Sequence, residues 1–499
     1  MIVLKKKTVD MDEYMRLIHR AYASSVRYPL TSLTNTSLTT TSRFSKYTKE
    51  QLTTYLQQAP QYEKQLRDAS IYMYTNSMQY YNLINFHALM PVWTYSVSPM
   101  KFDRAKFKPD AVLKQYQKVT EKLQIMNLSH EMDKVMRVCF REDVFYGICY
   151  ESKDAFSIQK LNPDYCKITS VEDGVLNFAF DFSQLTEEML PLYPPQFESM
   201  WRAYQGDQDL KWQEVPADIG ICIKVNEDLT YPFPPFAPSM PLLYDIEAYR
   251  ELILDRTQID IYKLLLLQIP MDEKLIPMDM EQALQYYEQI LRIVPETIGV
   301  VMAPMPLNEV KLDKTGLSDT DEVARSEQHF WSSSGTSPLL FGGDANGSVT
   351  ALKLSIKANE QIVLAVMRQV ERWLNRRIRK ISGTIKFKVD ILPITNFNQD
   401  ERAAMYETAA SYGLPTKSMY AAATGIELND ISALAYLENE VLDYPGNFIP
   451  LSTSYTQSGD DPTADEGGRP TNESKGEDLT EAGEQTQNDE ENEKREGAE

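Results

Sequence analysis

The chain has 499 residues, enough for two or three domains, and its 42% hydrophobic and 10% aromatic content is that of a globular protein. Its formal charge of −21 is unevenly spread: residues 452–499 hold 15 acidic against 4 basic side chains, which leaves −11 on this tail and −10 on the rest. A body of that charge excludes a tight phosphate-neutralising binder of the repressor or nuclease kind, so any contact with DNA is expected to be weak.

The opening Met1-Ile-Val-Leu-Lys-Lys-Lys leads into no apolar segment, so no secretory signal is expected. Apolar runs such as Leu264–Leu267 fall far short of the roughly 20 residues of a membrane helix. The cysteines Cys139, Cys149, Cys166 and Cys222 lack metal-finger spacing. A soluble intracellular protein with buried thiols and no membrane partner is the expectation.

Residues 1–30 read as helical and Thr31–Ser42 as a Ser/Thr-rich loop. Thr48-Lys-Glu-Gln51 has the pattern of a capping box, predicting a helix to Gln57, and a further helix is expected over Gln61–Ser77. Between Asp110 and Met126, Val112, Tyr116, Val119, Leu123 and Met126 repeat at 4-3-4-3 spacing, one face of an amphipathic helix. From Met136 to about Ile223 short β-branched and aromatic runs take over: 144–150, 155–159, 165–168 and 175–182. Asn162-Pro-Asp and Glu172-Asp-Gly punctuate them, and a helix is expected near Phe197–Tyr204.

A proline knot, Tyr231–Pro238, introduces a long helix over Pro241–Gln268, about 42 Å at 1.5 Å per residue. An insert follows, with a helix near Met280–Ile293 and strands at Thr297–Met302 and Glu309–Leu312. Ser318-Asp-Thr-Asp opens another helix to Trp331, and Ser332–Ser348, with four glycines, reads as a mobile loop. A third long helix spans Leu352–Ile381, with the stripe Val363, Val366, Val370 and Trp373. A strand at Thr384–Ile391 and short helices at Gln399–Tyr412, Thr416–Ala423 and Asn429–Val441 complete the pattern. Beyond Pro450 almost nothing is apolar, and a disordered tail over 451–499 is expected.

No Walker-type loop, His-Glu-x-x-His pair or calcium loop occurs; Gly413-Leu-Pro-Thr-Lys-Ser418 ends like a phosphate loop but lacks the glycine before its lysine. The histidines His19, His87, His130 and His329 are scattered. No catalytic residue, metal or cofactor is expected.

Three blocks together resemble the portal (head-to-tail connector) proteins of tailed double-stranded DNA bacteriophages. The first is the helical run Leu66–Asn85, in which an unbroken Tyr-x-x-Leu-Ile-like stretch leads on to Met90–Pro99. The second is Arg141–Gly147 with Leu161–Ile168, and the third Ile391–Glu401 with the helices up to Val441. The resemblance implies a mostly helical α+β fold that forms rings of twelve subunits. It implies an N-terminal helical arm (1–60), a wing (61–240), a first stem helix (241–268), a clip (269–317), a second stem helix (318–331), a tunnel loop (332–348), a long wing helix and strand (349–398) and a crown (399–450). The implied role is structural: a channel for packaging and ejecting double-stranded DNA at one capsid vertex. Its implied partners are the terminase large subunit, head-completion or adaptor proteins, and the major capsid and scaffolding proteins. Another ring-forming head–tail connector, or a capsid-associated structural protein, is the alternative.

Within that implied frame three residue sets are singled out. Glu247, Glu251 and Asp255, at i, i+4 and i+8, either face the channel and repel phosphate or face solvent and basic neighbours. Arg368, Arg372, Arg376 and Lys380 form a basic stripe that meets the next subunit or DNA, the subunit being favoured. Ser337, Leu339, Leu340, Phe341 and Asn346 belong to the implied tunnel loop, whose apolar members would make a non-sticky collar around DNA or pack under the wing.

Overall fold

A computed structural model describes residues 44–100, 108–261, 263–268, 289, 298–303, 319–341, 348–381 and 383–444. The chain divides into two compact units, residues 1–432 and 433–499. In the second unit the described residues, 433–444, include the end of a helix, Asp430–Tyr436, and a π-helical turn, Leu437–Val441. The calls on 1–43, on Met280–Ile293, on Glu309–Leu312 and on the acidic tail lie outside the described residues.

The first unit is a mostly helical α+β structure. Helix α1 (Lys49–Gln57) starts on the expected capping box: Thr48 Oγ1 accepts from Gln51 N while Gln51 Oε1 accepts from Thr48 N. The helix expected over Gln61–Ser77 is present, and a second follows it directly. α2 (Glu63–Asn76) and α3 (Met78–Ala88) meet at Ser77, whose extended backbone ends one helix while its hydroxyl accepts from Tyr80 N to cap the next. Strand β1 (Tyr95–Pro99) follows. α4 (Pro109–Met126) buries Val119, Leu123 and Met126, with Val112 and Tyr116 half-buried. The first part of the expected β section is helical: Met136 belongs to α5 (Leu128–Glu142), which buries nine of its residues and is strongly amphipathic.

Strands begin at Val144. β2 (Val144–Glu151) pairs antiparallel with β3 (Phe156–Lys160) and β7 (Gly220–Lys224); β4 (Cys166–Glu172), β5 (Val175–Asp181) and β6 (Trp212–Glu214) form a second antiparallel sheet. The β4–β5 hairpin turns on Asp173 and Gly174, both at positive φ (53° and 70°), the two-residue turn whose twist suits antiparallel strands. Between the sheets and helix α6 (Pro195–Gly206) lies a cluster centred on Phe178, Phe180, Phe182 and Phe197.

Helix α7 (Met240–Ile261) is shorter than expected. Residues 263–268 are not its last turns but strand β8 (Lys263–Gln268), paired in parallel with β9 (Ile298–Ala303) from Lys263↔Ile298 to Gln268↔Ala303. The helix expected over 241–268 therefore ends at Ile261. Helix α8 (Asp319–Ser333) packs along α7.

Helix α9 (Val349–Ile378) is the spine of the unit. Val363, Val366, Val370 and Trp373 are fully buried in the main core with α2, α3, α5 and the start of α7. Burial at that level contributes about 1.5–3 kcal/mol per aliphatic side chain. Its buried amides complete strand edges: Gln369 pairs with both backbone groups of Lys224 in β7, at 3.1 and 2.6 Å. Asn375 does the same for Val389 in β10 (Phe387–Ile391), at 2.9 and 2.7 Å. β10 pairs antiparallel with β1, and α10 (Gln399–Ser411) and α11 (Lys417–Ala423) close a small third core around Leu392, Ile394 and Leu428.

Candidate functional site

The three residue sets stand in very different environments. On α7 Glu247 turns into a network rather than facing open space. Arg250 donates to Glu247 at 3.0 Å and to Glu327 of α8 at 2.7 Å, and Gln79 of α3 donates to the same Glu327 oxygen at 3.1 Å. The network ties α3, α7 and α8 together. Glu251 is exposed, and the side chain of Asp255 lies outside the described residues. Glu247 and Glu251 are thus unlike each other in spite of the i, i+4 spacing.

Of the basic stripe on α9, Arg376 is drawn into its own chain while Arg368, Arg372 and Lys380 are exposed. Arg376, only 12% exposed, donates to Asn177 Oδ1 at 2.9 Å and stands 3.7 Å from Glu172. Burial holds its guanidinium below the usual arginine range, and the nearby Glu172, Asp173 and Glu214 act against that. Arg372 lies over the β4–β5 turn, donating to Asp173 O at 3.4 Å. Gly174 takes φ +70°, a left-handed conformation that favours glycine, and a Cβ there would only push aside the exposed end of Arg372. Arg368 and Lys380 are exposed. Arg372 and Arg376 thus both reach the hairpin of their own chain. The sequence could not place that hairpin against this helix.

Arg377, which the stripe did not include, is the most engaged of the group. It donates to Glu151 at 2.7 Å and to Asp218 O, and its guanidinium lies over the Trp373 and Phe156 rings at 5.5 and 5.6 Å. Glu151 also pairs with Lys122. Burial, then the Arg377 charge, pull the Lys122 ammonium below its ordinary range. Lys122, Glu151, Asp218 and Arg377 line a cleft of about 650 Å³ together with Pro194 and Lys380.

The segment 332–348 is anchored over its first half. α8 runs to Ser333, Gly335 takes φ +76°, and Thr336 is buried with its amide on Trp331 O at 3.0 Å. Pro338–Phe341 form a 3-10 turn in which Leu339 and Leu340 are half-buried, as is Ser337 just before it. Phe341 packs on Trp331 and edge-on to Phe86, centroids 5.9 Å apart, so it joins the core margin. Asn346 lies outside the described residues. The anchor passes through two residues the sequence reading did not select: Asn359 of α9 donates to Gly335 O at 3.1 Å and faces buried His87 of α3 at 3.0 Å. An asparagine inside the apolar stripe between Ile356 and Val363 was the available signal.

Among the described residues no group of three or more His, Cys, Asp and Glu side chains could hold a metal ion, and no helix is long and apolar enough to cross a membrane. His130 and His329 are exposed, and all four cysteines are buried and free.

No protein-family model and no curated protein matches the chain. Among solved structures it is similar to a chain described as "Neck of empty GTA particle computed with C6 symmetry", at 13% identity and a TM-score of 0.37, covering 73% of this chain and 93% of that one. A likeness of that depth carries no argument about fold or function.

Proposed function

We propose that the chain is a ring-forming structural subunit of a head–tail connector, acting as a portal through which double-stranded DNA is packaged and ejected. The observation that carries this reading is the order and pairing of elements in the middle of the chain. Two helices, α7 and α8, pack together and bracket an insert that holds a two-stranded parallel sheet; a short apolar turn at 338–341 then leads into the 30-residue helix α9. That order is the stem, clip, stem, tunnel-loop and wing succession implied by the resemblance of residues 66–99, 141–168 and 391–441 to portal proteins.

On this reading α7 and α8 line the ring wall and the insert docks the terminase large subunit, later the head-completion or adaptor proteins. The subunit holds no catalytic group, and it touches DNA weakly and without sequence preference, in keeping with a body of charge −10. Rings at a capsid vertex would also contact the major capsid and scaffolding proteins, with assembly taking place in the host cytoplasm.

Negative-stain imaging and mass photometry of the purified full-length protein test the reading. Closed rings with a central pore are expected. A protein that stays monomeric at micromolar concentration, with and without its capsid proteins, would overturn it, as would ATP or DNA hydrolysis by the pure chain.

A further inference from the structure

Helix α9 carries two apolar stripes, and the core uses only one of them. The second faces away from the core: Ala351, Leu354, Ala358, Ile362 and Ala365 are all exposed, Leu354 by 64% and Ile362 by 44%. Alanine recurs every seven residues, at Ala351, Ala358 and Ala365, which leaves a shallow seam where a second helix can approach closely. Exposed basic side chains border the seam: Lys357, Arg368 and Arg372. Lys357 meets the exposed Glu401 only at 3.9 Å, and Arg372 reaches Asp173 O at 3.4 Å. The acidic residues in this part of α9 turn the other way, Glu360 to the Thr395 hydroxyl and Glu371 to Ile391 N at 2.9 Å. The outer face of α9 is therefore apolar and positive.

The segment 433–444 has the opposite character. Each of its residues is exposed, although six of the twelve are large and apolar. Leu434, Leu437 and Val441, at i, i+3 and i+7, form one face; they are 40, 43 and 56% exposed and stand outside all three apolar cores. Its charged residues, Glu438, Glu440 and Asp443, are all acidic. Apolar stripes left in water and rimmed by charge mark interaction surfaces. Neither face suits its own kind. Two α9 stripes would bring cations together, and two acidic segments would bring carboxylates together, whereas one of each matches in sign and in apolar area.

We propose that the segment around Leu434–Val441 of one subunit docks on the outer stripe of α9 of a second copy of this chain. The apolar faces meet, and Glu438 and Glu440 come to lie among Lys357, Arg368 and Arg372. Two different faces make the contact, so it runs head to tail and closes into a ring where the rotation allows. The inference rests on the ring-forming reading and deepens it by naming the surfaces through which neighbours join.

Mixing two full-length variants tests it, with association followed by mass photometry and sedimentation velocity from nanomolar to micromolar concentration. Ile362→Asp blocks the α9 stripe and Leu437→Asp blocks the segment; both positions are exposed, so melting should match the parent's. Each variant alone should need at least about tenfold more protein to associate, since a carboxylate now enters an apolar contact. In a one-to-one mixture the intact segment of the Ile362→Asp chain meets the intact stripe of the Leu437→Asp chain. The mixture should therefore recover association that neither shows alone, beginning with a heterodimer. Ala365→Glu and Val441→Glu take the same two roles if a first variant melts below the parent. A folded variant that assembles at the parent's concentration overturns the contact, as does a mixture no better than its parts; the two faces then belong to a different partner. Closed rings that ignore these substitutions sink the contact and leave the ring reading standing. Open oligomers that respond to them do the reverse.

Discussion

Phe341 lies almost face to face on Trp331, the ring centroids 4.1 Å apart and the planes 15° from parallel. Such a pair adds about 0.5–1.5 kcal/mol beyond the apolar area it covers. It joins the end of α8 to the turn that leads toward α9, and it divides the apolar triad 339–341 into two kinds of residue.

Phe341→Ala should therefore destabilise the protein by about 2–3 kcal/mol, somewhat under the cost of truncating a fully buried phenylalanine. The double replacement of Leu339 and Leu340 by lysine should leave folding and ring assembly intact. On the portal reading it should change how much DNA is packaged or retained, since each new phosphate contact steepens the salt dependence of binding by close to one unit in the log–log slope. Denaturant melts of both variants and packaged-DNA measurements on assembled capsids check this. Normal packaging and retention would place the turn away from the channel.

Asp143 and Lys224 form an ion pair buried almost completely, 3.4 Å apart. Asp143 sits at φ +73°, a costly conformation for a non-glycine residue, and it is held there by Asn226 N, Asn226 Nδ2 and Phe233 N, each at 2.9 Å. Lys224→Met alone should cost about 3–5 kcal/mol by stranding a carboxylate in the core. Adding Asp143→Asn should recover part of that loss, because the amide removes the stranded charge. Urea midpoints for the two single variants and the double variant measure the coupling; simple additivity would show that the pair acts independently.

The two classes of basic residue on α9 should separate in mutagenesis. Arg376→Ala should lose about 1–2 kcal/mol, since it leaves Asn177 Oδ1 without its donor beside a half-buried hairpin. Arg368→Ala, at an exposed position, should leave thermal stability unchanged and is the variant to examine for effects on assembly or DNA. A large stability loss at Arg368 would mean that it is not a free surface residue.

Burial pushes the Cys149 thiol up to about 11 and raises those of Cys139, Cys166 and Cys222 as well. At pH 8 a thiol with that value is about one part in a thousand thiolate. The native protein should accordingly react with a thiol-specific disulfide reagent on a scale of hours, and four thiols should appear promptly in denaturant. Rapid reaction of the native protein would contradict the buried placement.

Truncation after Leu451 removes 15 of the 72 acidic residues and almost no apolar surface. The shortened chain should fold and assemble as the full chain does, because a segment so poor in apolar residues has little to add to a core. Sedimentation of the two proteins side by side checks it; a shortened chain that precipitates would assign the tail a part in folding.

What the sequence determined by itself is what depends on neighbours along the chain. The capping box at Thr48, the helical face from Val112 to Met126, the stripe Val363–Trp373 and the turns at Asn162 and Asp173 were all legible, because helix and turn hydrogen bonds close within about four residues. What only the tertiary structure decided depends on partners far away. Leu264–Leu267 continues a helical pattern, yet it is a strand, because a ladder with Ile298–Ala303 can satisfy the same backbone groups and nothing in the local sequence reveals that partner. Arg372 and Arg376 look like a free basic stripe until the β4–β5 hairpin, some 200 positions earlier, is folded against them. His87 and Asn359, 272 residues apart, have no shared sequence signal at all; burial alone gives their contact its strength, by removing the water that would otherwise satisfy both.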